Sequence, residues 1–446
     1  MVDTSPGNTK VKGQILSDAG LIFVAAFLRS STVGLVGVLL AIHLAVAGVS
    51  PAAIGGVMGA GLAGAAGATA LVSVRADVIG RRRMLMALAV LSALGYAAIA
   101  ATDRVTVLLP LAFLGMLNGM GRDRGAASAL EQAILPETTT AERRTWVLAW
   151  YNMVLDAGHA VGSLAAVTPV LLVSALGADP ARAHRLTFLI CAFAVAATIA
   201  PYARLSQRIE VPKTGYDPVS PARQVRLKPD TTEEARTPRR RWRPPLGGPD
   251  LHTRRTVFKL AALFGLDSIG GGFLSSALIA YWFFARYGMS ETELAMLFFA
   301  ARILNTGSHA LAAWMARRIG LLNTMVFTHL PSSLFLMAAP AAPTAGLAAA
   351  LFLCREALVE MDVPTRQSYV MAIVRPEERS FASGVTNVTR TLAWAVGPSV
   401  AGAVMQHVMA GPLFIGGTLK IGYDLLLYRS FRRIKPPEEQ SQGQKI

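Results

Sequence analysis

The sequence is nearly without cysteine and poor in charge. Its two cysteines, Cys191 and Cys354, both fall inside apolar runs. They offer neither a disulfide framework nor metal-ligand spacing. Charged residues make up only 16% of the chain, and soluble helices need a polar face, so a soluble globule is excluded. No G-x-x-x-x-G-K-[ST] run is present, and neither is H-E-x-x-H or G-x-S-x-G. A phosphate-cradling loop, a zinc-protease helix and a serine-nucleophile elbow are therefore absent. The acids and arginines found in apolar stretches come without a convincing histidine or cysteine partner. The chain is accordingly read as no enzyme, with no cofactor and no metal. The stretch Met1–Gly20 also lacks a cleavage-site pattern. The apolar run after it is too long for a signal segment, so it reads as an uncleaved first helix.

What fills the chain is apolar. Of its 446 residues 53% are hydrophobic, and the mean hydropathy is +0.45. Runs of about 20 apolar residues, the length that crosses a bilayer, recur along most of it. They predict spans near 20–46, 52–74, 84–102, 105–130, 146–176 and 185–205, then 256–285, 291–315, 321–341, 344–371, 380–409 and 411–430. That makes twelve membrane helices. Between the two sets lies a polar segment, 206–255, rich in proline and basic residues. It has too little apolar surface to offset the entropy of ordering and reads as a solvated linker. A tail at 1–19 and another at 431–446 complete the expected organisation.

The net charge of +16 raises the question of nucleic acid, but its placement answers otherwise. Lys10, Lys12, Arg75, Arg81, Arg82, Arg83, Arg143, Arg144, the linker, Arg317, Arg318, Arg375, Arg379, Arg429, Arg432, Arg433 and Lys435 fall on one side of the predicted spans. The other side receives Arg104, Arg182, Arg185 and Arg286. Positive loops face the cytoplasm, so both termini and the linker are expected there, with the chain multi-pass in the cell inner (cytoplasmic) membrane. The run Arg239–Arg240–Arg241 with Trp242 and Arg243 suits anionic headgroups of membrane lipids better than nucleic acid, which is not an expected partner.

The two sets of spans are repeats. A shift of 235 superposes Arg144 on Arg379, Asn152 on Asn387 and Gly162 on Gly397. A shift of 239 lays Asp123 on Asp362. A shift of 240 lays Gly48-Val49-Ser50 on Gly288-Met289-Ser290, and Ile79-Gly80 on Ile319-Gly320. Offsets this close to one value indicate two six-helix halves in parallel order.

Between the second and third spans stands Ser73-Val74-Arg75-Ala76-Asp77-Val78-Ile79-Gly80-Arg81-Arg82-Arg83. It resembles the loop signature of the major facilitator superfamily, with Ser73 in place of the first glycine. Taken alone it also fits an ordinary positive-inside loop. In the fourth span, Gly115-Met116-Leu117-Asn118-Gly119-Met120-Gly121 is similar to that family's arginine-glutamine-glycine motif, with Gly115 in the arginine's place. Arg355 occupies the matching place in the tenth span. In the fifth span Gly158 and Gly162 follow the antiporter spacing, but Ser163 replaces its proline, and Gly397-Pro398 supplies that pair in the eleventh. The resemblance covers about 20–205 and 256–430. It implies an all-α membrane protein of twelve transmembrane helices in two pseudo-symmetric six-helix bundles, rocking about a central site. It also implies that Asp77 helps hold one access state closed, while Gly80 permits the tight turn and Arg81 and Arg82 pin the loop to the cytoplasmic face. Physically, Asp77 is expected to accept hydrogen bonds from a neighbouring helix N-terminus.

Ionisable residues within membrane spans are costly and mark functional sites. Arg29, Asp156, His159, Asp267, Arg302, Arg355, Glu356 and Arg390 fall nearest the middles of their spans; Arg122, Asp123, Arg124, Glu131, Glu360, Asp362 and Arg366 fall nearer the cytoplasmic end. The candidates for substrate or proton binding are Arg29, Asp156, Asp267, Arg302, Arg355, Glu356 and Arg390. The candidates for a gate are Asp77, Gly80, Arg81, Arg82, Asp123, Asp362 and Arg366. In the family the first, fourth, seventh and tenth helices line the cavity, which puts Arg29, Asp267, Arg355 and Glu356 foremost. A structural reading stands beside this one: Arg29–Asp267 and Arg355–Glu360 as buried pairs that only join helices.

The arginines outnumber the nearby acids, and a guanidinium fork suits carboxylate or phosphate. An anionic or zwitterionic small molecule is the expected substrate, with protons or another coupling ion as co-substrate. Desolvation favours the protonated form of a buried carboxylate, so Asp156, Asp267 or Glu356 is a candidate proton carrier. The expected function is secondary active transport by a monomer. Uncoupled carriage, drug or amphiphile efflux, and a polytopic membrane enzyme or lipid-handling protein are the alternatives.

Overall fold

A computed structural model describes residues 17–139, 143–210, 251–374 and 379–434. Helices account for the architecture, and no strand occurs among the described residues. The first six spans are α1 (Asp18–Val46), α2 (Pro51–Ile79), α3 (Arg81–Ala101), α4 (Val105–Gly115) continued by α5 (Ala126–Ile134), α6 (Arg144–Leu164) continued by α7 (Thr168–Leu176), and α8 (Pro180–Ala197) continued by α9 (Ile199–Ala203). The second six are α10 (Leu251–Phe273) continued by α11 (Ser276–Tyr287), α12 (Glu291–Ile319), α13 (Leu321–Ala338), α14 (Ala345–Val359) continued by α15 (Asp362–Ile373), α16 (Arg379–His407) and α17 (Gly411–Phe431). Seven of these twelve are long and apolar enough to cross a membrane on composition alone. Each of the other five is broken or carries charges within its length.

The repeat in sequence is a repeat in local structure. Gly48 and Gly288 end their helices at φ +81° and +66°, backbone that costs a side chain energy and glycine little. Ser50 and Ser290 then cap α2 and α12, accepting from Ala53 N and Glu293 N. Gly80 and Gly320 make the turns to α3 and α13 at φ +106° and +88°. These two pairs of turns lie on opposite ends of the spans. One end carries both described chain ends and is called the termini side; the other is the far side.

Within a bilayer, close packing of small residues replaces the hydrophobic effect between helices. Accordingly α2 places Gly55 against Gly402 of α16, where an added Cβ would meet the Gly402 Cα at 2.8 Å. Gly272 of α10 likewise meets Gly397 of α16, at 2.7 Å. The first contact joins the two bundles, and the second lies inside one. On the far side His184 of α8 also reaches Glu291 of α12, Nε2 to Oε1, at 2.6 Å.

The termini side corrects one expectation and adds partners to another residue. Asp77 accepts from the side-chain Nε of Arg81, the first residue of α3, at 2.8 Å. The anion at that helix N-terminus is Glu210, which accepts from the backbone N–H of Arg81 at 2.7 Å and of Arg82 at 3.1 Å. Arg81 also binds Glu137, at 2.6 Å. Residues 206–210, assigned by sequence to the linker, are folded. Ser206 donates to Asp18, and Ile209 is buried. Most of the predicted linker, 211–250, lies outside the described residues.

Candidate functional site

Three breaks in the spans shape a central cavity. The fourth span unwinds over 116–125, where Met116 is left-handed (φ 54°) and Gly121 stands at φ +69°. Asn118 organises the turn: its Oδ1 accepts from Met120 N at 2.9 Å and its Nδ2 donates to Arg122 O at 2.6 Å. The seventh span breaks between α10 and α11, and there the second bundle satisfies the first bundle's freed carbonyls. Ala277 N donates to Gly119 O at 3.1 Å, and Ser276 Oγ to Met120 O at 3.0 Å. The tenth span breaks at Glu360 and Met361, between α14 and α15. Irregular backbone at membrane depth is tolerated where it is buried in protein or lines a cavity.

The cavity encloses about 1150 Å³ of empty space, part of it open to solvent. Its lining holds seven cationic side chains and four carboxylates. Arg122 and Arg124 from the unwound stretch both face Glu360 of the other bundle. Arg124 and Arg390 stack on the Trp394 ring, with guanidinium carbons 5.3 and 4.8 Å from its centroid. Arg355 pairs with its neighbour Glu356, whose other oxygen accepts from Asn305 Nδ2 at 2.8 Å. Arg366 holds Asp362 at 2.7 Å and Asp267 at 3.1 Å.

Arg302 and Arg390 stand apart. Arg302 is 8% exposed, donates from Nη2 to Ser276 Oγ at 2.9 Å, and keeps a buried Nε without a partner. Arg390 donates from Nε to Ser268 Oγ at 3.4 Å. Among the described residues neither pairs with a carboxylate. Buried charges are ordinarily paired, because desolvating an unpaired one costs several kcal/mol.

The candidate residues thus separate. Asp267, Arg302, Arg355, Glu356, Arg390, Asp362 and Arg366 come together in the cavity wall. Arg29 does not join them. Its guanidinium turns into its own bundle, donating from Nε to Asp123 at 2.6 Å and from Nη1 and Nη2 to Glu131 at 2.9 and 2.6 Å. The hydroxyls of Tyr151 and Tyr202 also donate to Glu131. The pair Arg29–Asp267 is therefore not formed, because each residue is satisfied within its own bundle. Arg355–Glu360 is not formed either, since Arg122 reaches Glu360 first. Asp156 lies outside the cavity lining with its side chain 41% exposed, 4.0 Å from His159. Asp77, Gly80, Arg81 and Arg82 lie at the α2–α3 turn.

Three buried residues lie outside the candidates that the sequence marks: His329, Lys420 and Asp424. Lys420 Nζ donates to Asp267 Oδ1 at 2.7 Å, and His329 Nδ1 lies 3.0 Å from both Asp424 oxygens. Lys420 and Asp424, one turn apart inside the last apolar run, were the available signal.

Comparison with known proteins bears on the whole chain. A family model described as Major Facilitator Superfamily matches residues 22–398. The chain is 26% identical over 418 residues to the "Uncharacterized membrane protein YJR124C" of Saccharomyces cerevisiae, covering 92% of this chain and 93% of that one. The solved nucleoside transporter NupG superposes with a TM-score of 0.65 at 16% identity, covering 94% of this chain and 99% of its own. A D-xylose-proton symporter superposes with a TM-score of 0.66 at 13% identity, covering 92% and 96%. At these identities the likeness to solved structures is one of fold.

Proposed function

The chain belongs to the Major Facilitator Superfamily, and on that premise we propose that it carries a small organic anion across the membrane by alternating access, coupled to protons. The carrying observation is the cavity's charge: seven cations face four carboxylates, and among the described residues Arg302 and Arg390 have no carboxylate partner. A carboxylate or phosphate matches the guanidinium fork and supplies the absent countercharge. A lipophilic cation would meet repulsion there, which disfavours drug efflux. Asn118, Ser276 and Trp394, also in the lining, give the site neutral donors and an aromatic wall, the usual make-up of a solute pocket.

In this reading the bundles 20–205 and 256–430 rock about the cavity, and the far side is the closed one. The contacts Gly55–Gly402, His184–Glu291 and Ala277–Gly119 support that assignment. The basic termini side faces the cytoplasm, and the working unit is a monomer in the cell inner membrane. The turn at Asp77, Gly80, Arg81 and Arg82, with Asp123, Asp362 and Arg366, serves the gate.

The test is flux into liposomes holding the purified protein and an internal pH-sensitive dye. The panel comprises carboxylates, organic phosphates, sugars and cationic drugs. An anion from the first two classes should move protons. Arg302→Met should weaken that response more than about tenfold, with Arg302→Lys a poor substitute because the fork is lost. A response confined to cationic drugs, or an unchanged response in Arg302→Met, would sink the proposal.

A further inference from the structure

Behind one wall of the cavity a file of charges continues into helices that the transport reading leaves unused. It runs from Asp267 on α10 through Lys420 on α17 and His329 on α13 to Asp424, again on α17. Lys420 Nζ lies 2.7 Å from Asp267 Oδ1 and 3.3 Å from His329 Nε2. His329 Nδ1 faces both oxygens of Asp424 at 3.0 Å. Asp424 is fully buried and His329 nearly so, while His329, Lys420 and Asp267 line the cavity. The Tyr423 ring from α17 and Asp362 from α15 also face the imidazole; Arg366 of α15 and Arg355 of α14, on helices packed against α13, line the same cavity. No ionisable group of α12 pairs with it among the described residues.

With Asp424 ionised and Lys420 an ammonium, hydrogen-bond roles set the tautomer. A carboxylate only accepts, so His329 Nδ1 carries a hydrogen toward Asp424. An ammonium only donates, so His329 Nε2 accepts from Lys420 and bears no hydrogen. The imidazole is therefore neutral in this arrangement. Among the described residues Asp424 forms no ion pair with an arginine or lysine and faces the imidazole instead. A proton on the ring nitrogen facing Lys420 would give that buried carboxylate its countercharge.

We propose that His329 Nε2 is a proton-binding site, and that filling it turns the Lys420 ammonium away from the ring and toward the central cavity. The step forms one N–H bond at Nε2 and breaks the Lys420–His329 hydrogen bond. The new imidazolium is held between Asp424 on one side and Asp267, whose Oδ1 is 4.0 Å from Nε2, on the other. The cavity gains a cationic donor when the proton arrives, so proton and anion favour each other's binding, reciprocally. This consequence rests on the anion-carrier reading; the proton site itself does not. With one linked proton, anion affinity rises at most about tenfold per unit fall in pH.

The test needs no substrate. Solid-state 15N NMR of full-length, histidine-labelled protein in lipid bilayers, with His329→Gln assigning the signals, reads both ring nitrogens as pH is lowered from about 9 to about 5. His329 should be protonated on Nδ1 alone at high pH and gain a proton on Nε2 as pH falls. In Lys420→Met, where no ammonium competes, the second proton should add at a pH higher by about one unit or more. A ring that keeps one state across the range overturns the proposal, as does a hydrogen on Nε2 at high pH or the same midpoint in Lys420→Met. If the ring titrates as described while no anion binds or moves, the carrier reading fails and the proton site stands.

Discussion

His184 Nε2 lies 2.6 Å from Glu291 Oε1, and the two residues belong to different bundles. His43 stacks on His184 with ring centroids 5.5 Å apart. His43 Nε2 stands 3.6 Å from Asp103, which Arg185 in turn holds at 2.6 Å. The contact between the bundles on the far side is thus polar at its rim and glycine-packed beneath.

Removing that latch should open the far side. A hydrogen bond to a charged group is worth about 1.5–3 kcal/mol, so Glu291→Gln should shift the balance of access states toward far-side opening by roughly 10–150-fold. Spin labels on the far ends of α4 and α14 would report it as a longer inter-bundle distance. An unchanged distribution would mean that the glycine contacts alone hold the closure.

Gly402→Val should have the same direction but a different signature. The added side chain meets the backbone of Pro51 and Gly55 in the opposite bundle, where nothing flexible can yield. Because the clash is between bundles, the protein should fold and insert normally. Transport should fall severalfold or more, and the label pair should lose its short-distance population.

The loop between α2 and α3 separates two roles that sequence had merged. Glu210→Gln removes the anion from the first turn of α3 and should cost about 1 kcal/mol, visible as a lower Tm. Asp77→Asn loses the bond to Arg81 from a largely exposed side chain, so Tm should hold while transport slows. Unchanged transport kinetics in Asp77→Asn would remove it from the gate.

Glu131→Gln tests the first bundle's core of charge. Glu131 is completely buried and accepts from Arg29 twice and from two tyrosines. Breaking a buried pair from one side typically costs about 3–5 kcal/mol. Stability should therefore fall sharply, measured as denaturation midpoint in detergent, with Arg29→Met falling comparably. A variant as stable as the parent would show that the network is dispensable for folding.

The sequence by itself determined the membrane class, the twelve spans and the repeat. Bilayer-length apolar runs have one stable use, and Gly48-Val49-Ser50 and Gly288-Met289-Ser290 encode the same turn and cap in each half. It also marked most of the buried charges, since an arginine or aspartate in an apolar run is conspicuous. Tertiary structure alone decided their partners. Nothing local tells Arg29 to turn inward to Asp123 and Glu131; that follows from the unwinding at 116–125, which sends Arg122 and Arg124 into the cavity and Asp123 the other way. Likewise Glu210 reads as linker, and becomes the anion at a helix N-terminus only because Ile209 packs beneath that turn. Pairing is a matter of distances across helices, and those are fixed by how glycine faces let the helices approach.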